Sequence, residues 1–123
     1  MSTKVIGKIS TTTDITSEFV DNILCTAFEG GIGYWAASAN PLDNIWPENA
    51  EYANQCLTRG VDIVISEIEE TDKHILTMEK MLMGIERFCN RNNIGIHDLL
   101  EDHDAGDADC IIQYALFGEI VYA

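Results

Sequence analysis

The chain has 123 residues, 46% of them hydrophobic, and a formal net charge of −14 from 21 acidic against seven basic residues. That size and composition fit one soluble domain spanning residues 1–123, and no apolar run reaches the roughly 20 residues that a bilayer span requires. The charge argues against direct binding to nucleic acid, because affinity there comes from Lys and Arg neutralising phosphates. Val5 to Thr12 reads as a weak first strand or an ordered lead-in. Thr11-Thr12-Thr13-Asp14 supplies N-cap oxygens for a helix whose apolar residues recur at Ile15, Phe19, Val20, Ile23, Leu24, Ala27 and Phe28. Gly30 and Gly31 end that helix. Asn40-Pro41 and Trp46-Pro47 mark the next region as loop, with a short helix from about Glu48 to Leu57 closed by Gly60. Val61, Ile63 and Ile65 alternate with Asp62, Val64 and Ser66, so Val61 to Ile68 is predicted as a strand, and His74 to Leu76 as a short return strand. Thr77 caps the clearest helix, with Met78, Met81, Leu82, Ile85, Phe88 and Cys89 as its apolar stripe. His97 to Glu101 forms one helical turn. Asp107 or Asp109 caps a last helix carrying Ile111, Ile112, Ala115 and Leu116, and Ile120-Val121-Tyr122 reads as a final strand. The sum is an α+β domain of about four helices with a small antiparallel sheet.

The residues that could carry chemistry are few. Cys25, Cys56, Cys89 and Cys110 are widely spaced, which fits free thiols in a reducing compartment rather than a zinc or redox pair. The N-terminus lacks the apolar stretch of a secretory signal, so the expected location is the cytosol. Glu101, Asp102, Asp104, Asp107 and Asp109 form an acidic run whose spacing fails the EF-hand pattern, so no metal is expected. Gly30-Gly31-Ile32-Gly33 follows a helix, not a strand, and has no Lys or Arg beside it. That excludes a phosphate loop of the dinucleotide kind. No nucleophile elbow, His-Glu-x-x-His or supported Cys/His pair appears, so no catalytic residue and no cofactor are expected and the chain reads as non-enzymatic. Gly31, Gly33, Tyr34 and Trp35 remain as a candidate ligand-binding turn, because Tyr and Trp offer flat faces for stacking.

Two blocks carry a resemblance. Thr13-Asp14-Ile15 through Trp35, and Asp107-Ala108-Asp109-Cys110-Ile111-Ile112-Gln113-Tyr114-Ala115-Leu116-Phe117-Gly118-Glu119-Ile120-Val121-Tyr122, resemble a group of small uncharacterised proteins of bacteriophages and other mobile elements. The chain ends Tyr122-Ala123, where the group carries a glycine after the tyrosine. The resemblance implies a viral or mobile-element setting and the host-cell cytosol. It supplies no activity.

Charge and resemblance together lead to one expectation: an acidic accessory protein that inhibits a host nucleic-acid-directed defence system, anti-CRISPR-like, with carboxylates in place of phosphates. The expected partner is a host protein with a basic surface, met through Glu101, Asp102, Asp104, Asp107 and Asp109, without nucleic acid or membrane. A second reading makes the glycine-aromatic turn a pocket for a nucleotide-like small molecule. A third is a structural homo-oligomer joined through apolar helix faces.

Overall fold

The computed structural model describes residues 5–7, 12–69 and 71–123. Val5 to Gly7 and Thr12 form no strand, and the rest of the expected first strand, with Thr11, lies outside the described residues. Helix α1 (Ser17–Thr26) begins later than expected: Thr16, not the Thr11–Asp14 run, caps it, its Oγ1 accepting the Phe19 amide at 3.2 Å. Its expected apolar face is the buried one, with Phe19, Val20, Ile23 and Leu24 in the core. The helix then widens into one π turn, Ala27–Gly31, closed by the Ile32 amide donating to the Ala27 carbonyl at 3.0 Å. The two glycines therefore sit inside a widened turn rather than after the helix.

Three antiparallel strands follow in the order β1 (Ala36–Pro41), β2 (Ile63–Glu67) and β3 (Lys73–Leu76). Ala39 faces Ile65, which faces His74 on the other side; Pro41, Ile63 and Leu76 are aligned likewise. β2 and β3 lie where the alternation placed them. β1 corrects the expected loop at Asn40-Pro41. Pro41 closes an edge strand, where a missing amide breaks no ladder, and the small residues before it carry little strand signal. A short 3-10 turn follows β1 at Leu42–Asn44, and the helix expected from Glu48 to Leu57 is replaced by two more, at Ala53–Gln55 and Leu57–Arg59.

Helix α2 (Met78–Asn92) starts at the expected cap, with Thr77 Oγ1 accepting the Lys80 amide at 3.2 Å. It lies against α4 (Ala105–Phe117) so closely that a Cβ on Gly84 would stand 2.6 Å from the Ile111 carbonyl oxygen. Glycine inside a helix costs about 1 kcal/mol relative to alanine. Here it lets two backbones meet. The short helix α3 (Ile96–Glu101) joins the two. Asp104 caps α4, correcting the expectation of Asp107 or Asp109. Its Oδ1 accepts the Asp107 amide at 2.8 Å while Asp107 Oδ2 accepts the Asp104 amide at 3.1 Å, a reciprocal capping box. Ile120-Val121-Tyr122, expected as a strand, joins no ladder and runs as an irregular strap beyond α4. Four α-helices and a three-stranded antiparallel sheet among the described residues make this a compact α+β fold. No helix among them is long and apolar enough to cross a membrane.

Candidate functional site

The two sequence blocks that stand about 75 positions apart meet in space. Asp109 lies one turn into α4 and points inward, 7% exposed. Tyr34 Oη donates to its Oδ2 at 2.6 Å; Trp35 Nε1 donates to its Oδ1 at 2.8 Å. Gln113, the next residue on the same face of α4, donates from Nε2 to the same Oδ1 at 2.9 Å. The carboxylate is thus held by three neutral donors, which satisfy its buried oxygens without a cation.

Gln113 is fully buried and extends the network to the strap. Its Oε1 accepts the amides of Val121 and Tyr122, both at 2.8 Å, and its Nε2 reaches the Tyr122 carbonyl at 3.1 Å. The Tyr122 ring stacks on Trp35, with centroids 5.1 Å apart and planes 3° from parallel. Phe117 leans on Trp35 at 5.6 Å. Tyr122 Oη donates to Glu67 Oε1, and His74 Nε2 lies 2.8 Å from Glu67 Oε2. His74 meets Phe117 edge-on at 5.0 Å. One continuous network therefore ties the entry to β1, helix α4, the strap and the β2–β3 hairpin. Among the described residues no buried side-chain polar atom lacks a partner.

This environment shifts two groups. Burial, and next the bond to Asp109, pushes the Tyr34 hydroxyl up to about 12. Hydrogen bonds from Tyr122 and His74 hold the Glu67 carboxyl below its ordinary 4.5, outweighing the opposing effect of burial. A carboxyl lowered in the fold contributes stability above its unfolded value and loses it as pH falls through the folded one. Unfolding midpoints measured from pH 7 downward should therefore fall off below about pH 4.5. Glu67→Gln should flatten that limb; an unchanged acid limb would remove Glu67 as its cause.

The structure distributes the sequence candidates unevenly. Gly31 is buried, and a Cβ there would stand 2.7 Å from the Ala105 carbonyl oxygen. Gly33 is exposed, Tyr34 is half exposed, and Trp35 is 3% exposed with Tyr122 on its face. The turn thus presents the Tyr34 ring, while a flat ligand would reach Trp35 only by displacing Tyr122. Glu101, Asp102 and Asp104 are exposed and Asp107 is half-buried. Asp109 is corrected out of the acidic surface, since its oxygens are turned to Tyr34, Trp35 and Gln113.

Glu67, His74, Gln113 and Tyr122 belong to the network without having been singled out. Two signals were present. Glu67 continues the inward alternation of Ile63 and Ile65, and Gln113 follows the buried Ile111-Ile112 pair four residues after Asp109. A carboxylate and an amide on apolar faces need partners. The four cysteines are free, and burial raises each thiol. Among the described residues no cluster of three or more His, Cys, Asp or Glu is placed to hold a metal ion. No protein family, curated protein or solved structure matches this chain.

Proposed function

We propose that this is a non-enzymatic accessory protein of a phage or mobile element that inhibits a host nucleic-acid-directed defence system, in the manner of an anti-CRISPR protein. Its exposed carboxylates occupy a basic groove that otherwise holds phosphates. The observation that carries this reading is how little of the −14 charge is compensated. Among the described residues, one carboxylate is paired with an Arg or Lys: Asp21, 3.8 Å from Arg59. Two further cations are turned to backbone carbonyls, Lys80 Nζ donating to Ile75 at 2.8 Å and Arg87 to Gly118 at 2.7 Å.

Exposed acids flank the contact between the end of α1 and the start of α4 in sequence. His103 Nε2 is 3.2 Å from Thr26 Oγ1, and Gly31 abuts Ala105. Glu29, in the turn between Thr26 and Gly31, is exposed, as are Glu101, Asp102 and Asp104 on either side of His103. Uncompensated charge of one sign projects a field that raises encounter rates with a basic surface and fades with ionic strength.

The test is DNA cleavage by a purified RNA-guided nuclease with the protein added before or after target DNA. Inhibition should require addition before DNA and weaken as salt rises. Glu101→Gln with Asp102→Asn should reduce it several-fold, while Asp104 is left intact because it caps α4. Absence of binding across a panel of guide-loaded nucleases, or binding indifferent to salt, overturns the reading.

A further inference from the structure

The loop that follows β1, residues 42–52, exposes three large apolar side chains: Ile45 (61%), Trp46 (42%) and Tyr52 (65%). Asp43, Glu48 and Glu51 stand exposed among them, and the loop contains no Lys or Arg. Exposed apolar and acidic side chains thus alternate along this loop.

The loop is built rather than slack. Asp43, Asn44 and Asn49 adopt left-handed backbone at φ 56°, 56° and 64°. Residues bearing a Cβ disfavour that region, although Asn and Asp tolerate it best. Hydrogen bonds hold these turns in place. The Leu42 amide donates to the Asp62 carbonyl at 2.9 Å, and the Ile45 amide to Leu42 at 3.2 Å. Trp46 Nε1 donates to Asn44 Oδ1 at 3.1 Å, which fixes the indole outside the core. Gln55 Oε1 accepts the amides of Glu51 and Tyr52 at 2.7 and 3.1 Å, so the far end is tied as well.

Among the described residues the three side chains stay largely exposed, and left-handed backbone is retained where they are displayed. Backbone strain of this kind persists where the surrounding structure enforces it and collects at recognition sites. Trp and Tyr are also the residues that dominate binding energy when they enter a partner's pocket. An ordered loop loses little further freedom on docking.

We infer that residues 42–52 form a docking element for a protein partner whose contact face is an apolar cavity ringed by Lys and Arg. This rests on the acidic-surface reading above and adds where the grip lies. The loop's own carboxylates, with no Lys or Arg among them, select the partner's charge. A second copy of this chain would bring another −14 to the contact, and an anionic bilayer would meet the same repulsion. The long-range acidic field sets the rate of encounter, and the aromatic pair sets the lifetime of the complex.

The experiment measures association and dissociation of the full chain on the purified guide-loaded nuclease. Wild type is compared with Trp46→Ala/Tyr52→Ala, with Ile45→Ala as a milder second variant, and circular dichroism monitors folding. The double variant should bind about tenfold more weakly or worse, through faster dissociation. Glu101→Gln/Asp102→Asn should instead slow association. If wild type binds and the loop variants bind equally well, the loop inference falls while the acidic-surface reading stands. If wild type binds none of the panel, both fall. An arm with phosphatidylcholine vesicles covers the membrane alternative. A vesicle-induced blue shift in fluorescence that disappears in Trp46→Ala overturns the protein partner in favour of a bilayer.

Discussion

Replacing Trp35 with alanine should lower the free energy of unfolding by about 3–5 kcal/mol, the range seen when a large buried aromatic is deleted from a core. Three losses add together. The indole is 3% exposed, so its apolar contacts are nearly complete. Its stacked partner Tyr122 and tilted partner Phe117 lose the ring they rest on. Asp109, itself buried, loses one of its three donors. Asp109→Ala attacks the same joint from the other side, leaving Trp35 Nε1 without its acceptor and removing the shared one used by Gln113. Unsatisfied buried polar groups cost about 1–3 kcal/mol each. Because the two variants break one hydrogen bond in common, the double variant should cost less than the sum of the two. Urea unfolding of the three proteins measures this. A loss below about 1 kcal/mol for Trp35→Ala would show that the strap does not cover the indole in solution.

Gly31→Ala should destabilise by about 1–3 kcal/mol, whereas Gly30→Ala should be neutral or stabilising by up to about 1 kcal/mol. The residues are neighbours in one π turn, and their surroundings decide the difference. A Cβ at Gly31 would stand 2.7 Å from the Ala105 carbonyl oxygen and 3.4 Å from the Asp109 nitrogen, both backbone atoms that cannot swing aside. A Cβ at Gly30 would meet nothing within 4 Å. Alanine also restricts the unfolded chain more than glycine does, which favours the fold wherever space allows. Thermal melts of the two variants should therefore move in opposite directions, or the second not at all. Equal destabilisation would mean that the π turn, rather than its contact with α4, is what requires glycine.

α1 and α2 were legible because their apolar residues repeat at helical spacing; the cap was legible only for α2, at Thr77, while several threonines and an aspartate before α1 competed for the role that Thr16 takes. β2 was legible through its alternation. β1 was not, because Ala36-Ala37-Ser38-Ala39 has neither branched side chains nor clear alternation, and Pro41 reads locally as a break. It becomes a strand because β2 offers it an edge. The reverse error occurred at Ile120-Val121-Tyr122. Branched and aromatic residues suggest a strand, yet Gln113 takes two of the segment's amides and no strand pairs with it.

The sequence by itself determined the charge, the helix faces, the central strand and the fold class. Each follows from composition or from a period shorter than one element. It also marked Gly30 to Trp35 and Asp107 to Tyr122 as unusual. Only the tertiary structure decided that these are two halves of one joint. Asp109 reads as one more surface acid until Tyr34, Trp35 and Gln113 close around it. Trp35 reads as an open stacking face until Tyr122 lies on it. Partners some 75 residues apart along the chain leave no periodic trace in either block, and the burial that turns a carboxylate inward exists only once α4 has packed.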